Sequence, residues 1–437
     1  EPVCIFNVNS LTLKTIDEFP YTISEINSNE KFLAYLPMED MFSSNYSSTF
    51  DLVQGDVSDL EKVSSNSNGF LKNTNIQLNG IFHYLSSKVK ILPSDKGFVI
   101  NYSRQEEKDS VKIKKFFLGV FDIQGKKIKE FHLDYIPKNQ SKGFYTLPSD
   151  IAISKDGRYI ATGLVEQKNG LTTDFSGQVY LIDLIKDTVT KMSEKSSSSN
   201  ILLSSSRIIS AGSGVDNESL ATIGKEADTN IYIWDYSGKL LKKISYPLNG
   251  PSNISLSEKE DFFSTTSDDG SIKVWSISGD FVRTIGGKNK GITRSIISQD
   301  GKFIAAAYTD NKIRIWDKNS GKLIHKLVGH TQNIYDLAFS NDSKFIISGS
   351  GSYYQYSQND DISIRVWNID EEKQIAKFSF KEKDPRAELA KFASGVPLGI
   401  TFTDNNKKII FTFGHGTAYD WHALYIADIS ANKIIKK

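Results

Sequence analysis

Between residues 231 and 378 the chain repeats one pattern of apolar and polar positions. "IYIWDYSGKLLKKI" begins at 231, "IKVWSISGDFVRTI" at 272, "IRIWDKNSGKLIHKL" at 313 and "IRVWNIDEEKQIAKF" at 364. Each alternates β-branched residues, crosses a short polar turn and alternates again, which predicts a β-hairpin. Ahead of each hairpin lie two more apolar runs separated by a turn. "GITRSIISQDGKFIAAAYTD" (291–310) shows the form, and "YDLAFSNDSKFIISGS" (335–350) and "NISLSEKEDFFSTTSDD" (253–269) repeat it. The tryptophans of the hairpins, Trp234, Trp275, Trp316 and Trp367, are spaced 41, 41 and 51 residues apart.

Outside this stretch the tryptophan is lost but the rhythm persists. "DIAISKDGRYIATGL" leads to "QVYLIDLIKDTVTKM", and "VKILPSDKGFVINYS" to "FFLGVFDIQGKKIKEF". "YTISEINSNEKFLAYL" leads to "TFDLVQGDVSDLEKV", and "LGITFTDNNKKIIFTFG" to "LYIADISANKIIK". The units predicted are 20–63, 89–133, 148–192, 205–244, 250–285, 291–327, 331–378 and 396–437. Residues 1–19 ("VCIFNVNSLTLKTI" at 3–16) form an additional outer hairpin without inner strands of its own.

A period of about 40 to 45 residues with Trp-Asp is the signature of four-stranded propeller blades. On these residues the chain resembles the WD-repeat (WD40) β-propeller family, most closely across 201–378 and least before 148. The resemblance implies an all-β fold, a single propeller of four-stranded antiparallel blades. Eight blades, with the leading hairpin helping to close the ring, is the expected arrangement. Seven blades with irregular N-terminal additions, or a chain that starts mid-blade within a larger protein, are the alternatives. A lone blade cannot bury enough apolar surface to fold, whereas stacked blades cover one another.

Counting back six residues from each tryptophan finds an aspartate: Asp228, Asp269, Asp310 and Asp361. In the family such an aspartate joins a network with the Trp, a Ser or Thr of the second strand and the His of a Gly-His pair. One unit supplies all four by position: His330, Ser348, Asp361 and Trp367. The Trp275 unit offers Thr265 but no Gly-His, and the Trp316 unit has Ala306 where a hydroxyl is expected. A Ser-His-Asp hydrolytic site is the competing reading. A chain that ends on an indole N–H inside a blade favours a structural clamp.

The charges nearly cancel, 53 basic against 52 acidic, so no global field draws the chain to nucleic acid. Cys4 is the single cysteine, which excludes an intrachain disulfide and a thiolate metal cluster. No apolar run approaches the ~20 residues that span a bilayer. The chain starts at Glu1, so removal of an upstream segment is expected; a cytoplasmic location is favoured, with an exported mature chain as the alternative.

Function is therefore sought in the connections. The segments 37–49, 104–115, 165–178, 351–361 and 414–423 read as long loops on one face. They carry Met38, Met41, Phe42, Tyr46, Phe175, Tyr353, Tyr354, Tyr356, Tyr419 and Trp421, side chains of the kind that anchor interfaces. The expectation is a non-catalytic scaffold that binds a protein or peptide within a hetero-complex, with no cofactor and no nucleic acid. The alternative is a small-ligand or metal-dependent propeller enzyme using the axial channel or "GHGTAYDWHA", where His415, Asp420 and His422 offer two nitrogens and an oxygen. Their spacing fits no standard ligand pattern.

Overall fold

The computed structural model describes residues 3–7, 12–16, 27–28, 32–35, 51–54, 88–93, 97–108, 111–122, 126–135, 144–168, 174–194, 200–212, 229–246, 251, 253–267, 269–287, 291–351, 361–379, 394–402, 406, 408–416 and 422–429. Among them there is no α-helix; the strands fall into eight four-stranded sheets. The N-terminal segment gives β1 (Val3–Asn7), β2 (Thr12–Ile16), β3 (Asn27–Ser28), β4 (Phe32–Tyr35) and β5 (Asp51–Gln54). The second sheet is β6 (Lys88–Ile91), β7 (Phe98–Lys108), β8 (Val111–Phe121) and β9 (Lys127–Leu133). The third is β10 (Phe144–Ile153), β11 (Tyr159–Lys168), β12 (Asp174–Asp183) and β13 (Thr188–Lys191).

The fourth sheet is β14 (Asn200–Leu203), β15 (Ile208–Ala211), β16 (Ile231–Trp234) and β17 (Leu240–Ile244). The fifth is β18 (Asn253–Leu256), β19 (Phe262–Thr266), β20 (Ser271–Ser276) and β21 (Phe281–Gly286). The sixth is β22 (Ile292–Ile297), β23 (Phe303–Tyr308), β24 (Lys312–Asp317) and β25 (Leu323–Val328). The seventh is β26 (Ile334–Phe339), β27 (Phe345–Ser350), β28 (Ser363–Asn368) and β29 (Lys373–Ser379), and β30 (Ser394–Phe402), β31 (Lys408–Gly416) and β32 (His422–Asp428) build the eighth.

The two ends of this order differ from the sequence expectation. The first sheet runs β2-β1-β4-β3, so the leading hairpin supplies the outer strands of the unit that holds β3 and β4, and is not an additional hairpin without inner strands. Residues 51–54, expected to continue that first unit, instead pair in parallel with β32, Leu52 opposite Leu424 and Val53 opposite Tyr425. That eighth sheet is therefore mixed, with strands from both ends of the chain. The entropy of closing a loop grows only logarithmically with length, so a distant strand with a free edge competes well with a near one.

Consecutive sheets share their cores. Ile209, Ile231 and Ile233 of the fourth pack with Phe263 and Trp275 of the fifth. Ile272 and Val274 of the fifth pack with Ile304, Tyr308 and Trp316 of the sixth. Ile313 and Ile315 of the sixth then pack with Leu337, Ile346 and Trp367 of the seventh. Each of these tryptophans points toward the preceding sheet. Each also sits at a register shift against its outer strand, as do Trp234 and, in the second sheet, Phe121. Phe121 takes the tryptophan's position, stacked on Phe98 with centroids 5.1 Å apart. The architecture is a β-propeller.

Inner strands are tied across the junctions by polar side chains. Asp150 accepts from its own neighbour, Ile151 N–H, at 2.9 Å and from Ile201 N–H of the fourth sheet at 2.8 Å. Asp336 repeats the device, accepting from Leu337 N–H at 2.9 Å and from Ile400 N–H of the eighth sheet at 3.0 Å. Arg294 of the sixth sheet reaches the same carboxylate, with Nε 3.2 Å from Oδ1, so one aspartate links three sheets. Asp336→Ala leaves these donors unpaired and is expected to cost about 1–3 kcal/mol. Urea denaturation checks this, and an unchanged midpoint would show the latch to be dispensable.

Candidate functional site

His330, in the connection that leads into β26, is held between Ser348 of the second strand of the seventh sheet and Asp361 just ahead of the third. Its Nδ1 lies 2.9 Å from Asp361 Oδ2 and its Nε2 2.7 Å from Ser348 Oγ, while Trp367 Nε1 donates to the same Ser348 oxygen at 2.8 Å. Burial pushes the His330 imidazole below its ordinary pKa, outweighing the hydrogen bond to Asp361. Burial by itself would raise the Asp361 carboxyl. Hydrogen bonds from His330 and Ser363, with Arg365 beside it, hold the carboxyl far below the usual range. A neutral imidazole next to a carboxylate fixes the tautomer: Nδ1–H donates to Asp361 and Nε2 accepts from Ser348 O–H. The donors then run one way, from indole to hydroxyl to imidazole to carboxylate. Asp361 also accepts from Thr331 N–H at 3.1 Å, and Arg365 and Lys377 lie 3.0 and 3.3 Å from it.

This is the hydrogen-bond order of a catalytic triad, yet the nucleophile is closed off. Ser348 is 0% exposed and its oxygen already receives the indole N–H. No substrate carbonyl reaches it without dismantling the blade. What remains is a clamp that joins the approach to the blade with its second and third strands.

The other tryptophan units are built with different side chains. In the Trp275 unit the indole donates to Thr265 Oγ1 at 3.0 Å, and the Tyr246 hydroxyl lies 3.0 Å from that atom and 2.7 Å from Ser267 Oγ. Tyr246 thus stands where the imidazole stands in the seventh sheet, with Lys273 over its ring at 4.5 Å. Asp269 stays in its own turn, accepting from Ser271 N–H and O–H at 2.9 and 2.6 Å. In the Trp316 unit Asp310 turns to Arg314, which grips it with two nitrogens at 2.9 and 2.7 Å and lies over the Tyr308 ring at 4.4 Å. Trp234 is fully buried and stacks on Tyr232 at 5.5 Å, and its Nε1 has no acceptor among the described residues. Asp228 lies outside the described residues. Tyr246 and Arg314 were missed in the sequence reading. An aromatic residue two positions after the preceding outer strand, and a cation two residues before Trp, are the signals that could have found them.

Two of the expected loops are corrected in part to strand. Most of 104–115 continues β7 and β8 as a ladder, with Arg104 opposite Lys115, Glu106 opposite Ile113 and Lys108 opposite Val111. Among the described residues neither β6 nor β9 pairs with this part, so about 17 Å of two-stranded ladder runs beyond both at ~3.4 Å per residue. In 165–178 the ladder reaches Gln167 opposite Asp174, which sets Phe175 on β12, and β10 lines the other side from Phe144 opposite Lys168. Apolar alternation does not reveal these strand extensions, because the ladder is made by backbone groups and requires no apolar stripe. His415 and His422 likewise lie on β31 and β32, His415 opposite Gly395 and His422 opposite Gly414, so they are not cross-strand partners of each other. Met41, Phe42, Tyr46, Tyr353, Tyr354, Tyr356, Tyr419, Asp420 and Trp421 lie outside the described residues.

Residues 254–349 match the family described as the anaphase-promoting complex subunit 4 WD40 domain. The match runs from the first strand of the fifth sheet to the second strand of the seventh and includes Trp275, Trp316, His330 and Ser348. Over these residues the chain carries WD40 repeats, and the four-stranded sheets that hold them are those of a WD40-type β-propeller. A comparison with curated proteins finds no match. No helix among the described residues is long and apolar enough to cross a membrane.

Within this WD40 propeller the clamps make two testable demands. The folded pKa of His330 lies below its ordinary value, so the unfolded chain takes up the proton first as pH falls. The stability due to neutral His330 is present above about pH 6.5 and drains away below it. Chemical denaturation between about pH 7.5 and 5.5 should show this slope, and His330→Gln should flatten it. An equal slope in both proteins would assign it to other groups. Tyr246→Phe, which removes only the hydroxyl from Thr265 and Ser267, is expected to cost about 1–2 kcal/mol by the same measurement.

Proposed function

We propose that this WD40 protein is a non-catalytic interaction scaffold that binds a protein or peptide partner on the face where second and third strands meet, as one subunit of a larger complex. The observation that carries this reading is the pair of extended ladders in the second and third sheets. Arg104 to Lys115 runs beyond both neighbouring strands, and β10, β11 and β12 together lengthen the next sheet. The fourth to sixth sheets make do with strands of four to six residues. Strand beyond what the core requires still has to be ordered, and binding is a use that justifies it. Fold alone does not assign function, so the reading also leans on the family, whose matched member is named as part of a complex.

The aromatic side chains of two other connections, Tyr353, Tyr354 and Trp421 foremost, are proposed as its anchors. Affinity purification from the native source with mass spectrometry tests the reading. Replacing 105–114 by an Asn-Gly turn, or those three aromatics by alanine, is expected to weaken capture by about 30-fold, equivalent to about 2 kcal/mol, with the melting temperature nearly unchanged. Identical partners at identical yield in both variants would overturn it.

A further inference from the structure

Large apolar side chains that stay exposed among the described residues gather on the outer strands. Leu241 lies on β17, Phe281 and Val282 on β21, and Leu323, Ile324 and Val328 on β25. Two more, Ile128 and Val189, lie on β9 and β13, and Ile185 alone is on a turn. Phe281 is 57% exposed, Val282 51% and Leu323 50%, although the Phe281 ring still meets Trp275 edge-on at 5.6 Å.

The turns before β21 and β25 lean on the preceding sheet, which sets the outer strands of neighbouring sheets side by side. A Cβ on Gly279, which holds φ +82°, would come within 2.5 Å of Ile233 Cδ1 and 3.1 Å of Lys242. One on Gly321 would meet Arg283 at 3.4 Å. Leu241 of the fourth sheet, Phe281 and Val282 of the fifth, and Leu323 and Ile324 of the sixth therefore follow one another along the rim.

The same strands are cationic. β17, β21 and β25 carry Lys242, Lys243, Arg283 and Lys326 and no carboxylate. The turn aspartates are engaged locally: Asp235 accepts from Ser237 at 2.6 Å, Asp317 from Ser320 at 2.7 Å, and Asp280 takes Lys242 at 2.6 Å. Lys243 lies over the Tyr232 ring at 4.9 Å, and Asp317 acts on Arg283 only through charge. Arg283 Nε is buried with no hydrogen-bond acceptor among the described residues. Lysines on an edge strand ordinarily guard it against pairing. A guard does not require Phe, Val, Leu and Ile beside it.

We propose that the rim of the fourth, fifth and sixth sheets docks an acidic amphipathic protein segment. Its apolar side chains cover Phe281, Val282, Leu323 and Ile324, and its carboxylates meet Lys243, Arg283 and Lys326. A bilayer is a poorer fit, since the rim turns from one sheet to the next and the cations stand singly among apolar groups. This surface is the edge of the sheets, separate from the projecting ladders, and stands whether or not those bind.

Fluorescence anisotropy with a labelled peptide that alternates glutamate with leucine and valine tests the proposal on the whole chain. Saturable, salt-weakened binding is expected, reduced about tenfold by Val282→Glu with Leu323→Glu and by Lys243→Glu with Lys326→Glu. Hydrogen exchange of the wild-type complex should add protection at β21 and β25. Should the glutamate variants lower the melting temperature, Val282→Ser with Leu323→Ser takes their place and should weaken binding in the same direction. No saturable binding, equal binding of a lysine-for-glutamate peptide, or affinity indifferent to the substitutions would overturn the proposal. So would sedimentation with phosphatidylserine vesicles in the absence of peptide binding.

Discussion

A four-stranded sheet with apolar residues on both faces has to be covered on both, and none of these sheets is thick enough to cover itself. That constraint governs the molecule. The solution is lateral, each sheet lending one face to the sheet before it and one to the sheet after, so the cores lie between sheets. The tryptophans at the bulged positions belong to this arrangement. A large flat ring placed where the third strand shifts register against the fourth fills the gap toward the preceding sheet.

Polar groups carried into such junctions must be paired, and the clamps show how freely the pairing is chosen. The seventh sheet uses an imidazole, the fifth a tyrosine hydroxyl, and the sixth abandons the hydroxyl and closes its aspartate with an arginine fork. In these three sheets the buried aspartate or hydroxyl finds a partner, although the residue that supplies it differs. Proximity of Ser348, His330 and Asp361 is therefore no argument for hydrolysis when an indole N–H already occupies the hydroxyl oxygen.

Because the cores are spoken for, what the stack leaves over is of two kinds: hairpin ladders that run beyond their neighbouring strands, and outer strand edges. The second and third sheets lengthen the first kind of surface. The fourth to sixth keep short strands and leave apolar side chains on the second.

The sequence by itself determined the sheet class, the four-strand unit and the clamp residues of the seventh sheet. Period-two alternation, a recurring tryptophan and an aspartate at a constant offset are local signals, and each reflects a local physical need. Tertiary structure alone decided the rest. Residues 51–54 pair with β32 because a free edge was available there, which no pattern within 51–54 records. Tyr246 replaces an imidazole because it arrives at the same point in space from a different place in the chain. The polar arm of 104–115 is a ladder because its backbone groups find one another, although its side chains follow no apolar stripe. Pattern reports what a side chain needs from its immediate neighbours. Which distant partner supplies it is settled only when the sheets are assembled.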